Sequence, residues 1–177
     1  MKHYILSFAI LSLVVACNDT GTTPEQTPSP ISDSLMLKID SPKSSKADRL
    51  AGFGLTLEEM QDDSVFSDGS VPTSWEVAGI TDVKGFKLFI KKLQLLVLDN
   101  DKEQLAKQIR YPLNKSIKTE ADFIKNYDQV FTKDAKLSIA KINFSQIFRN
   151  SKGAMSDAGM VWFLQEGSEF KIIAVNN

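Results

Sequence analysis

One run of five side chains constrains this chain more than any other: Met160-Val161-Trp162-Phe163-Leu164, set between two stretches of turn chemistry. Before it, Phe148-Arg149-Asn150 leads into Ser151-Lys152-Gly153. After it, Gln165-Glu166-Gly167-Ser168 leads into Phe170-Lys171-Ile172-Ile173-Ala174-Val175. Three antiparallel strands joined by tight turns are predicted, because apolar and β-branched runs punctuated by glycine and polar residues have this meaning. The middle strand carries no water-seeking side chain on either face, so both of its faces are expected to be covered. The cover has to come from the residues upstream.

At the other end, Lys2 and His3 precede an apolar run from Tyr4 to Val15 that is shorter than the roughly 20 residues of a membrane span. Residues 1–16 read as a signal peptide. The run closes on Val14-Val15-Ala16-Cys17, which resembles the lipobox of bacterial lipoproteins, where a cysteine after a small residue becomes lipidated and N-terminal. The resemblance implies a membrane anchor through acyl chains on Cys17, and more than one chain makes anchoring lasting at about 0.8 kcal/mol per buried methylene. Asn18 instead of aspartate follows it, which by the enteric sorting pattern implies the outer membrane, facing the periplasm.

Removal of the leader takes with it His3, the only histidine, and lipid occupies Cys17, the only cysteine. The mature chain therefore lacks the side chains for a Ser-His-Asp triad, a Cys-His pair, a Cys/His zinc site or a disulfide framework. With Lys2 gone, 20 basic side chains face 22 acidic ones, a net charge of −2. That is no footprint for a nucleic acid. No nucleotide loop, cofactor motif or metal spacing appears; Ser64, Asp68 and Gly69 suggest a calcium loop, but Phe66 stands where an oxygen ligand is needed.

Residues 17–49 are rich in Ser, Thr, Pro, Lys and Asp, and predict a disordered tether reaching about 30 Å r.m.s.. Within it, Leu35 to Ile39 is an apolar patch with the alternative of adding a strand to the domain. Residues 50–79 form an extension. Thr56-Leu57-Glu58-Glu59 has the pattern of a capping box, and Val65-Phe66, Ser67-Asp68-Gly69-Ser70 and Val71 suggest a hairpin, limited to an edge by Pro72.

From Thr81 or Asp82, the residues Phe86, Phe89, Ile90, Leu93, Leu96 and Val97 recur at helical spacing. Lys84, Lys87, Lys91 and Lys92 are assigned to the solvated face. A break at Asp99-Asn100-Asp101 precedes a short second helix with Leu105 and Ile109, which stops before Pro112, and Tyr111-Pro112-Leu113 is expected to be extended. Thr119-Glu120-Ala121-Asp122 opens a third helix whose stripe is Phe123, Ile124, Tyr127, Val130 and Phe131. Residues 133–142 fit a fourth short helix or irregular chain equally. The Asn-x-Ser matches at Asn114 and Asn143 carry no meaning in a bacterial lipoprotein.

The fold class is thus α+β: three helices followed by an antiparallel sheet, preceded by a disordered tether. That order, with the run Phe86 to Leu93, the passage Leu105 to Leu113 and the strand Gly159 to Trp162, resembles the superfamily of nuclear transport factor two, ketosteroid isomerases and polyketide cyclases over residues 80–177. The resemblance implies a curved sheet and helices forming a cone-shaped roll around a pocket, and pairing of two copies through the outer sheet face. It also implies proton transfer by pocket carboxylates or tyrosines, for which Tyr111, Tyr127, Asp122, Asp128 and Asp157 are the candidates.

Each candidate also has a structural reading. Asp122 suits a helix N-terminal turn, Asp128 lies off the apolar stripe, and Asp157 sits in a turn. Tyr127 suits the core, with its hydroxyl bonded to backbone. Tyr111 and Trp162 remain as ligand-binding candidates with Tyr127, and Trp162 also fits sheet core. The leading expectation is a non-catalytic envelope lipoprotein that binds a protein or small apolar ligand. The alternative is a small isomerase, dehydratase or cyclase, and a purely structural envelope protein is a third reading.

Overall fold

The computed structural model describes residues 53–176. The expected signal peptide 1–16, the lipidation candidate Cys17, the expected tether 17–49 and its patch Leu35 to Ile39 lie outside the described residues. The fold is mixed α+β, with six α-helices and one four-stranded antiparallel sheet among the described residues.

Helix α1, Leu57–Met60, forms where the capping box predicts it: Glu59 N–H donates to the Thr56 hydroxyl and the Glu59 carboxylate accepts from Thr56 N–H. It buries none of its residues. The predicted hairpin is instead a lone turn in which Phe66 N–H donates to Ser70 O and Gly69 takes φ +83°. Asp68 and Gly69 supply the turn, but Pro72 and the exposed Val71 give the flanks neither a ladder donor nor an apolar face, so no strands form.

Helix α2, Val83–Leu98, is capped by Asp82 and buries Phe86, Phe89, Ile90, Leu93, Leu96 and Val97 along one face. It also buries Lys87, which corrects the assignment of that lysine to the solvated face. Lys91 is half-buried against Glu59, while Lys84 and Lys92 are exposed as expected. Helix α3, Lys102–Ala106, ends before Ile109, which bridges Ile172 instead. The Tyr111-Pro112 peptide bond is cis.

The third predicted helix is two: α4, Glu120–Lys125, and α5, Tyr127–Val130. They divide at Asn126 (φ −107°, ψ 21°), and the apolar spacing continues across the break. Helix α6, Lys133–Ala140, settles the undecided stretch in favour of helix, with Thr132 as its cap.

The sheet is a meander of β1 (Phe148–Asn150), β2 (Gly153–Met155), β3 (Val161–Glu166) and β4 (Glu169–Val175). Strand β2 was not expected, because Gly153 reads as turn. Its φ of +125° lets the chain fold straight back from Ser151 and Lys152, and a Cβ there would overlap the Phe163 carbonyl oxygen. Gly167 at φ +61° opens the β3–β4 turn, as such hairpins require.

One sheet face meets the helices. Phe163 and Phe170 pack against Phe86 and Phe89 with ring centroids 5.7–6.3 Å apart, and Trp75 closes on Phe86 at 5.4 Å. A second aromatic group, Phe123, Tyr127 and Phe131, fills the space under α4 and α5. The opposite sheet face is less covered than the five-residue run suggests: Val161 and Phe163 are buried, whereas Met160, Trp162 and Leu164 are half-buried. Among the described residues no helix is long and apolar enough to cross a membrane.

Candidate functional site

The acid–base candidates take up local duties. Asp122 is the reciprocal partner of Thr119 in the α4 capping box, and amide donors from Lys118, then the Thr119 hydroxyl, hold its carboxyl below the ordinary range. The Tyr111 hydroxyl donates to Ala106 O at 3.0 Å; burial, then the carboxylates of Glu120 and Asp122, push its phenol upward. Asp128 is exposed and bonds Lys136 Nζ at 3.0 Å. Asp157 is exposed in the 3-10 turn Asp157–Gly159 between β2 and β3.

Tyr127 departs from its expectation. Its ring is core, 4% exposed, stacked on Phe131 with centroids 6.0 Å apart, and capped by Lys136 Nζ 4.3 Å from the ring centroid. Its hydroxyl bonds neither backbone nor side chain among the described residues. Burial, helped by the charges of Asp128 and Asp101, pushes the phenol up to about 12. Tyr127 and Asp128 share a polar hollow of about 360 Å³ with Asn100, Lys102 and Lys125. Among the described residues no cluster of three or more His, Cys, Asp or Glu could hold a metal ion.

Two features that the sequence did not announce are more extensive. The first is ionic. Lys87 on α2 and Arg149 on β1 are 1% and 5% exposed, and both bond Asp62, at 2.8 and 3.2 Å. Trp75 Nε1 donates to the same carboxylate, and the Arg149 guanidinium lies 4.1 Å from the Trp75 ring centroid. Burial pulls Arg149 down from its ordinary value, against the pull of Asp62 and Glu76. Lys87 lies one residue after Phe86 and three before Ile90, at the edge of the apolar stripe. That spacing was the available signal; the partner 25 residues upstream was not.

The second is apolar. Strand register places Phe148 opposite Met155, Met155 opposite Trp162, and Trp162 opposite Ala174. These four side chains form one row across all four strands, on the face away from α2. Phe148 is 39% exposed and the other three are half-buried. Phe148 and Met155 continue into a half-open groove of about 420 Å³, floored by Phe66, Ile142 and Ile147 and rimmed by Asp68, Lys141 and Asp157. Thus Trp162 and Asp157, both singled out from sequence, border one continuous surface. Tyr111 and Tyr127 lie elsewhere, the first bonded to the end of α3 and the second opening α5. No protein family, no curated protein and no solved structure matches this chain.

Proposed function

We propose that this chain is a non-catalytic binding module of the bacterial cell envelope, held at the membrane by lipid on Cys17 and engaging a protein partner through the Phe148, Met155, Trp162, Ala174 row and its adjoining groove. The observation that carries the reading is the register: it collects half-exposed apolar side chains into a contiguous strip while the helix-facing side is filled by Phe86, Phe89, Phe163 and Phe170. A strip of this kind, continued by a groove that Asn143 and Gln146 line beside Phe66 and Ile147, suits a protein surface better than a soluble polar metabolite. The helices and sheet, in this reading, are a filled cone-shaped roll of the nuclear transport factor two type.

The test places a photo-crosslinking amino acid at position 162, 155 or 148 of the full chain in envelope membranes, with exposed Leu57 as control site. A discrete product from the three sheet positions and not from position 57 is expected, and a product of twice the chain mass would make the partner a second copy. Identical patterns from all four positions would refute the proposed surface. Replacement of Cys17 by serine should release the protein from the membrane fraction, and retention there would refute the anchor.

A further inference from the structure

Residues 53–80 form a strap held on the body by an ionic cluster as well as by the core packing of Trp75, Ala78 and Ile80. Only Phe66, Trp75, Ala78 and Ile80 of this stretch are buried, and it contributes no strand. Opposite the strap, the body presents two cations, Lys87 and Arg149, that are out of water. Lys87 Nζ donates to Asp62 Oδ1 at 2.8 Å and Gln61 O at 3.0 Å. Arg149 donates to Asp62 Oδ2 at 3.2 Å, Thr73 O at 2.7 Å and Ile147 O at 3.0 Å. Apart from the Ile147 carbonyl, each of these acceptors belongs to the strap, and so does the indole under the guanidinium.

We infer that Lys87 and Arg149 form a binding cleft for a carboxylate flanked by an aromatic ring, and that the strap is its resident occupant, displaced when an acidic, aromatic-bearing segment of a partner protein binds. A buried two-cation cleft with one carboxylate between them is selective: a neutral segment would leave both charges desolvated and unmatched. An aromatic face over the guanidinium adds a second requirement that an isolated anion does not meet. The strap satisfies both from one short stretch, Asp62 with Trp75, and it enters through the half-buried Glu59–Lys91 pair; lifting it is a sub-global opening that also withdraws Trp75, Ala78 and Ile80 from the core.

The test uses a fluorescent synthetic peptide with the sequence of residues 56–80, added in trans to the full chain. Wild-type protein should bind it weakly, because its own strap competes at an effective concentration in the millimolar range. Protein carrying Asp62→Ala should bind it roughly tenfold or more tightly, and a peptide carrying the same substitution should bind neither protein. Equal binding of the peptide by wild-type and Asp62→Ala protein, or binding by neither, would overturn the inference. Should Asp62→Ala fail to fold, the isosteric Asp62→Asn takes its place, and hydrogen exchange on the unmodified chain decides independently. Amides of residues 53–80 are expected to exchange while those of α2 and β3 stay protected; exchange of all in one cooperative step would make the strap an integral part of the core and refute the cleft.

Discussion

The Tyr127 hydroxyl offers a test with an unusual sign. Truncating a buried side chain ordinarily destabilises, yet Tyr127→Phe removes only an oxygen that has no hydrogen-bond partner among the described residues and leaves the ring contacts with Phe123, Phe131 and Lys136 in place. An unsatisfied buried polar group costs about 1–3 kcal/mol. The substitution should therefore stabilise the protein by about 1 kcal/mol near neutral pH, raising Tm by roughly 4 °C for a domain of this size. The effect should grow with pH. In the unfolded chain the phenol ionises near its ordinary value of 10, whereas in the fold it is pushed up to about 12. Between those values the unfolded state sheds a proton that the folded state retains, so wild-type stability is fully present below pH 10 and declines as pH rises toward 12. At pH 11 the gap between variant and wild type should have widened by about 1.4 kcal/mol, one pH unit of linkage. Urea denaturation followed by circular dichroism at pH 7, 9, 10 and 11 measures both quantities. A destabilised variant would show that the hydroxyl has a partner worth keeping, and a gap independent of pH would show that the phenol is not desolvated.

Other substitutions separate the remaining interactions. Asp62→Ala removes the carboxylate that Lys87 and Arg149 share and should cost about 3–5 kcal/mol, whereas Lys87→Met leaves the Asp62–Arg149 pair intact and should cost under about 1 kcal/mol; equal losses in urea denaturation would refute this division. Gly153→Ala combines a φ of +125° with overlap on the Phe163 carbonyl and should lower stability by about 3 kcal/mol or more, seen as loss of β1 and β2 amide protection. Thr119→Ala removes the α4 cap and should cost about 1 kcal/mol by the same denaturation measurement. Lys91, followed by the Thr56 amide, holds the Glu59 carboxyl below its ordinary 4.5. The stability this gives is present above that value and is lost as pH falls through the folded value, so Glu59→Gln should flatten the acid limb of a pH–stability profile.

Much of the helical layer was legible because α2 satisfies several local rules at once: a capping aspartate, a one-sided stripe and a polar break. The capping box at Thr56 was equally readable, since it spans four residues, whereas Thr119 to Asp122 was read only as a helix start with Asp122 in its first turn. Legibility failed where the deciding partner is distant. Lys87 reads as a surface lysine until Asp62 and the strap are placed beside it. Tyr127 reads as backbone-bonded because the stripe says nothing of where its oxygen ends. The break at Asn126 leaves apolar spacing undisturbed, so periodicity alone draws one helix from Phe123 to Phe131. Strand β2 is three residues long and begins with a glycine whose turn chemistry is real, and only its pairing with β1 and β3 makes it a strand. Trp162 was identifiable as a sheet residue, but its alignment with Phe148 and Met155 depends on register, which no single strand encodes.

The strap also lies along the outer edge of β1. The Thr73 hydroxyl donates to Arg149 O at 2.6 Å, and Arg149 Nε donates to Thr73 O at 2.7 Å, so the strand is covered at its central residue. An uncovered β-edge is a template for pairing between molecules. Proteolytic nicking between Asp63 and Pro72 would therefore do more than loosen a surface segment: it would uncap a sheet end beside an apolar row, and the expected sequel is edge-to-edge aggregation of the cleaved protein.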